Sequence, residues 1–495
     1  MMAISVMPAI AADSFQPQIP KTWDDSEMGS VEIPLSHPDY SPKHTSADFY
    51  YRMPVRAIYE SYPVYHPDRE PPGYLDSLKR REPRVLWDAS KLRTREDWIR
   101  AGELVFEAPI AYGGIGAGPG HHENLYIRNR AWFERVRPPL SPDGVLPFVR
   151  YVVREKGKVE LGVFACAMCH TRVLPDGSVL KGGPGNFPFD SAFAENIETE
   201  SQSADENRRI LEALYPKPWA PSEVSSKLKP LDAKGMAALL AGRPAGVMTR
   251  HRLSFETPLE IPDLIGVEHR KYLDHTGLQL HRGIGDLMRY AALNQDGDIL
   301  ADFGGFVPIS FLLRGQKLKP EMGGRYSDEQ LYALALYLYS RRPPENLNRP
   351  NQETRRGERV FVSQGCVGCH VPPLYTNNKL TPAVGFRVPE EHRRRYDILP
   401  VVVGTDPEAT METTRGTGYY KVPSLLGLWY RTPLGHSGWV STLEEWFDSK
   451  RLNDGYVPTG FCPPDRKHGG VKGHEFGLNL PAEDKAALMA FLRTL

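Results

Sequence analysis

The sequence predicts a mainly α chain of two related helical units, with long irregular insertions and a Pro-rich N-terminal extension. Three observations predict it. A Gly-Glu-x-Val-Phe pattern at 102–106 recurs at 357–361, each time on a segment that reads as an opening helix. Two apolar stripes at helical spacing, Leu331, Leu334, Ala335, Leu338 and Leu488, Phe491, Leu492, Leu495, read as matching closing helices. Proline is abundant, 45 of 495 residues, which favours turns and extended connections over one large sheet.

Each helix has its own signals. Ser327 and Gln330 form a capping box ahead of the first closing stripe, and Arg341, Arg342 and Pro343 end it. The last helix opens at Pro481 with Glu483 and Asp484 in its first turn. The Pro- and Asn-rich stretch 343–350 reads as a linker. The expected organisation is a signal-peptide remnant at 1–12, a Pro-rich extension at 13–92, a first unit at 93–342, the linker, and a second unit at 351–495. The remnant is apolar and ends in Ala9-Ile10-Ala11-Ala12, although no basic segment precedes it. The extension reads as an irregular wrap. The units are unequal: residues 107–165 separate the first opening helix from Cys166, and residues 171–326 separate His170 from the closing helix.

Composition excludes several function classes. The 61 basic and 61 acidic residues cancel, so nothing points to nucleic acid or an anionic membrane surface. No apolar run reaches the length of a membrane span.

Cysteine usage is the most specific signal. Four of the five cysteines lie in two Cys-x-x-Cys-His motifs, Cys166-Ala167-Met168-Cys169-His170 and Cys366-Val367-Gly368-Cys369-His370. Two thiols on one turn can each bond one vinyl group of a porphyrin, and the adjacent histidine then ligates the iron. The expected cofactor is therefore two covalent haem c groups, attached at Cys166, Cys169, Cys366 and Cys369, with His170 and His370 as iron ligands. Each unit becomes a cytochrome c-like haem domain, matured outside the cytosol in the periplasm or as a secreted protein. The competing readings are a shared zinc, which needs four ligands, and a thioredoxin-type redox pair, which follows a strand in a βαβ unit. Cys462 reads as an unpaired thiol in the interior.

A family resemblance rests on further stretches. Tyr420-Lys421-Val422-Pro423-Ser424-Leu425, then Pro433-Leu434-Gly435-His436-Ser437-Gly438, resembles the C-terminal domain of the dihaem cytochrome c peroxidase superfamily. Gly183-Pro184-Gly185-Asn186-Phe187-Pro188 resembles the element near that superfamily's interdomain calcium site, which implies Ca²⁺ with Asn186 beside it. Cys169-His170-Thr171-Arg172-Val173-Leu174-Pro175-Asp176-Gly177, Gly416-Thr417-Gly418-Tyr419-Tyr420-Lys421 and Gly473-His474-Glu475-Phe476-Gly477-Leu478 are most similar to the rubber oxygenase type. Those enzymes use dioxygen to cleave a polyisoprene double bond. This chain is shorter than they are, so the resemblance extends to the chemistry rather than to polyisoprene as substrate.

Sixth ligands then set the mechanism. Peroxidases of the superfamily place a Met some way beyond the Pro-x-x-His-x-Gly element, and here no Met lies between Met411 and Met489. His474 is the expected sixth ligand of the second haem, with His436 and Met411 as alternatives. The first haem would be the reactive one, its open side built from 248–294. That stretch holds Met248, His251, His269, His275, His281 and Met288, each more apt to be a packing or surface residue than a ligand. No catalytic acid or base is assignable. The expected function is a haem-dependent oxidoreductase that activates dioxygen at the first haem, with an apolar organic substrate. The alternatives are a hydrogen peroxide reductase served by a small electron-transfer protein, and a dihaem electron carrier.

Overall fold

The computed structural model describes residues 15–113, 126–199, 203–313, 315–462 and 469–495. The expected signal-peptide remnant lies outside them. The fold is mixed α/β rather than the mainly α fold expected. The difference arises in the insertions. Residues 107–165 carry the strands Val145–Glu155 and Lys158–Val163, joined by a tight turn at Lys156-Gly157 where Gly157 has φ 88°. With Ser61–Tyr65 and Ala111–Tyr112 they form a four-stranded antiparallel sheet, in the spatial order Ser61–Tyr65, Val145–Glu155, Lys158–Val163, Ala111–Tyr112. Both central strands are largely buried, because helices Arg130–Val136, Phe189–Thr199, Ala204–Leu214 and Ala233–Leu240 share one apolar cluster with them.

The N-terminal extension packs into the fold. Its strand Ser61–Tyr65 takes an edge of the sheet, where Pro63 removes no interior hydrogen bond. Trp23 stacks on Tyr50 at 4.5 Å, and both belong to the apolar cluster that surrounds helix Asp328–Ser340. Thr22 N–H and the Tyr51 hydroxyl both donate to the Asp328 carboxylate at the start of that helix.

Two helix pairs repeat one arrangement. Arg95–Glu107 packs on Asp328–Ser340, and Gln352–Ser363 packs on Ala482–Arg493. Capping boxes start three of the four: Thr94 with Asp97, the expected Ser327 with Gln330, and Asn351 with Thr354. The repeated glycine explains the repeated motif. A Cβ on Gly102 would overlap the Ala333 carbonyl and lie 2.7 Å from Tyr337 Cβ; a Cβ on Gly357 would overlap the Ala487 carbonyl and lie 2.7 Å from Phe491 Cβ. The helices therefore cross at backbone contact. One turn on, Phe106 meets Tyr337 at 5.3 Å and Phe361 meets Phe491 at 5.5 Å. The stretch 343–350 has no regular structure, and Asn346 Nδ2 ties it to the Arg493 carbonyl at 2.8 Å. No helix among the described residues is long and apolar enough to cross a membrane.

Gly102→Ala and Gly357→Ala should each push one helix pair apart. Overpacking of this kind costs about 1–3 kcal/mol, so thermal unfolding should show a lowered Tm for each variant. Ala at the open position Gly455 is the control that should leave Tm unchanged.

Candidate functional site

Both Cys-x-x-Cys-His motifs adopt the same turn. His170 N–H donates to the Cys166 carbonyl and His370 N–H to the Cys366 carbonyl, each at 2.9 Å. In the second unit, Gly365 at φ 73° separates the opening helix from the turn. In the first, the turn follows strand Lys158–Val163 directly. That strand has only antiparallel neighbours, so no βαβ unit of the thioredoxin kind exists here.

The thiol chemistry argues the same way. None of the five cysteines forms a disulfide. Burial pushes the Cys166 thiol up to about 12, and burial pushes Cys169 up to about 11 against the opposing pull of Arg250. Burial also raises Cys366 and Cys369. A dithiol redox pair needs a stabilised thiolate, and these environments do the reverse. Among the described residues no group of three or more His, Cys, Asp or Glu side chains is placed to hold a metal ion, so the two pairs do not share a zinc. Met168 is buried with its sulfur on the Phe164 N–H at 3.3 Å, turned back into its own turn.

The two histidines are oriented alike. His170 Nδ1 meets the Pro262 carbonyl and His370 Nδ1 the Tyr375 carbonyl, each at 3.1 Å. A carbonyl can only accept, so Nδ1 carries the proton and Nε2 keeps its lone pair for a ligand role. Burial keeps both rings neutral, with His170 pushed down to about 3.

Around the second motif lies a cavity of about 260 Å³. Cys366 and Cys369 line it with apolar side chains of both paired helices, among them Phe361, Leu488 and Leu492. His474 stands across it from His370, with ring centroids 6.4 Å apart. A metal–imidazole bond of about 2.0–2.1 Å, plus roughly 1.1 Å from nitrogen to ring centroid, separates two opposed imidazoles by about 6.3 Å. The pair therefore fits one iron between them. The alternatives do not occupy this position. His436 lines the cavity elsewhere, stacked on Tyr420 at 4.1 Å, and its carbonyl accepts from Glu260 N–H. Met411 does not line the cavity, and its carbonyl accepts from Ser36.

His474 is held in a costly conformation. Its φ is 47°, a left-handed region that strains a non-glycine residue by about 1–3 kcal/mol. Arg451 enforces it. This guanidinium is 0% exposed and donates to the carbonyls of Trp446, Val471, Gly473 and His474. The His474 N–H is fixed in turn on the Val403 carbonyl at 2.7 Å. Gly473 is needed beside it, because a Cβ there would overlap Gly404.

Most of the Met and His side chains of 248–294 have packing or hydrogen-bonding roles. Met288 is core, Met248 packs beside the sheet cluster, and His269 is exposed. His281 bonds the Arg270 carbonyl and the Tyr339 hydroxyl. His275 bonds the Glu260 carbonyl and lines the second cavity. What approaches the first motif is a charged cluster that the sequence did not reveal. Asp274, itself at φ 63°, accepts from Arg250 at 2.9 Å, from Arg415 at 2.5 Å and from the Tyr290 hydroxyl at 2.5 Å. Burial alone would raise the Asp274 carboxyl; Arg415, Arg250 and Tyr290 outweigh it and hold it well below the carboxylate range. Arg250 acts on Cys169 and His170 electrostatically, and Gln295 Nε2 reaches Cys166 Sγ at 3.7 Å.

The calcium expectation does not fit. Asn186 Oδ1 accepts from Val173 N–H at 2.9 Å and its Nδ2 donates to the Val173 carbonyl at 2.8 Å, so the carboxamide is spent on backbone. Beside it the Arg172 guanidinium takes the carbonyls of Pro184 and Thr432 and the Thr432 hydroxyl, each at 3.1 Å. Oxygens that could turn to a hard cation turn to a fixed organic one.

Arg451→Met removes a charged donor from four buried carbonyls, which should cost at least about 3 kcal/mol; Tm should fall, and amide exchange at 471–474 should accelerate. EDTA should leave the Tm of the parent chain unchanged, while Arg172→Met lowers it.

No family model matches the chain, and no curated protein matches it. Among solved structures, the chain is similar to hydrazine synthase of Kuenenia stuttgartiensis, with 13% identity and a TM-score of 0.30 over 61% of this chain and 92% of that one. It is also similar to a MauG-like protein associated with microbial copper homeostasis, with 16% identity and a TM-score of 0.28 over 48% of this chain and 73% of that one.

Proposed function

We propose that the chain carries two covalent haem c groups, on Cys166, Cys169 and His170 and on Cys366, Cys369 and His370, and works as an extracytoplasmic dihaem oxidoreductase. The observation that carries this reading is the opposed pair His370 and His474, 6.4 Å apart across a cavity walled by Cys366 and Cys369. Two thiols and two imidazoles are also a zinc ligand set, but here the imidazoles face each other across an apolar slot and no three His, Cys, Asp or Glu side chains among the described residues gather on one point, which favours a haem.

When bound, such haems transfer electrons where both axial positions are filled and react with a small oxygen species where one is open. In this reading the second site is the electron-transfer site, with His474 held by Arg451. The first site is the reactive one. There Arg250 would hold a fixed cation, and the Tyr290 hydroxyl donates its hydrogen bond to Asp274 Oδ1. Asp274 stays ionised because two guanidiniums face it, which keeps Arg250 and Tyr290 oriented.

Dioxygen with an apolar organic substrate is the reading that the sequence resemblance implies. The Arg250–Asp274–Tyr290 cluster favours hydrogen peroxide as a second reading, since a preorganised cation stabilises charge that develops on oxygen. Electrons would then come from a small electron-transfer protein.

Pyridine haemochromogen analysis should count two haems per chain. Low-temperature EPR should show one low-spin bis-histidine species, lost in His474→Ala, beside one high-spin species. Turnover with dioxygen against hydrogen peroxide then separates the two readings. A chain without attached haem sinks the proposal, and two low-spin signals that persist on partial reduction leave only an electron carrier.

A further inference from the structure

The cavity around the second motif has two chemically different ends. Near Cys366 its walls are apolar, whereas Glu260, His275, Lys421 and Arg431 close it on the side of the first unit, and a hollow of about 30 Å³ continues past them to Asp263 and Arg270. Four cations gather at this seam, Arg172, Arg270, Lys421 and Arg431, against two carboxylates, Glu260 and Asp263. The seam therefore gathers more cationic than carboxylate side chains.

Most of these groups are committed. Asp263 accepts from the Tyr430 hydroxyl and the Ile265 N–H, each at 2.9 Å. Arg270 donates to the carbonyls of Asp263 and Ile265, and Arg172 spans Pro184 and Thr432. Lys421 is different: its ammonium has no hydrogen-bond or ion-pair partner among the described residues. Arg431 uses Nη1 on the carbonyls of Ser424 and Leu426, and its buried Nε is unpartnered. Burial pushes the Lys421 ammonium down to about 7, the mark of a cation that lacks its anion. Buried cations call for paired anions.

A haem is an apolar disc with its thioether-forming edge opposite an edge that carries two carboxylates. We propose that Lys421 and Arg431 bind the two propionate carboxylates of the second haem at the seam between the units. This rests on the reading of Cys366, Cys369, His370 and His474 as that haem's site. The register supports it: Lys421 pairs with Leu380 in a short ladder, and its N–H is fixed on the His275 carbonyl at 3.0 Å, so it is held against the first unit. The two propionates would supply the anions that Lys421 and the Arg431 Nε lack.

The test uses the full haem-loaded chain with Lys421→Gln, Arg431→Gln and Lys421→Arg. Haemochromogen counting and EPR of the parent come first; absence of a haem on Cys366 and Cys369 defeats the underlying reading by itself. With both haems in place, potentiometric titration should show the midpoint potential of the bis-histidine haem lowered in Lys421→Gln and in Arg431→Gln, because a cation beside its carboxylates is gone. The propionate bending bands in the resonance Raman spectrum should shift in the same variants, and Lys421→Arg should restore both readouts. If a Gln variant does not mature, Lys421→Arg is compared with Lys421→Met at the same bands. Parent-like potentials and propionate bands in the haem-loaded variants overturn the assignment.

Discussion

Two helix crossings at backbone contact set the geometry on which everything else depends. Gly102 and Gly357 let an opening helix lie directly on the carbonyls of a closing helix. Close approach of this kind fixes the two axes more tightly than side-chain packing does, since backbone has no rotamers to adjust. In the second unit only Gln364 and Gly365 stand between the opening helix and the Cys turn, so the crossing also fixes where Cys366 and His370 stand relative to Leu488 and Leu492. In the first unit the sheet takes over that duty, delivering Cys166 from the end of strand Lys158–Val163.

From this shared frame the two sites diverge through the structure laid over each motif. Over the second lies a short loop, pinned by a buried guanidinium, that presents a histidine. Over the first lies a knot of one carboxylate, two guanidiniums and a phenol. Both overlays store backbone strain at the residue that matters, His474 and Asp274, and both meet it with arginine. Strain concentrated at such points is the pattern of a site whose geometry is fixed by its surroundings.

The sequence made legible whatever has local period or fixed spacing: the capping box of Ser327 and Gln330, the two closing stripes and the paired motifs. It did not reveal the sheet, because Val145–Val163 is buried on both faces and so lacks the alternation that marks a half-buried strand. Arg451 reads as a surface charge beside Lys450, and nothing local distinguishes it from one. Asp274, Arg250 and Arg415 are up to 165 residues apart in pairwise separation, with 141 between Asp274 and Arg415 alone, and only the fold brings them together. Asn186 misled for a related reason: its motif implied a cation, while Arg172, fourteen positions earlier, supplies one.

The N-terminal extension carries a consequence for the order in which the chain closes. Ser36 donates its hydroxyl to the Met411 carbonyl, a separation of 375 residues, and its N–H to the Gly416 carbonyl. Thr22 reaches Asp328 across 306 residues. Loops of that length close slowly relative to helix pairing and hairpin formation. Docking of the extension thus comes late relative to helix pairing, and its contacts at Thr22 and Ser36 tie one unit to the other.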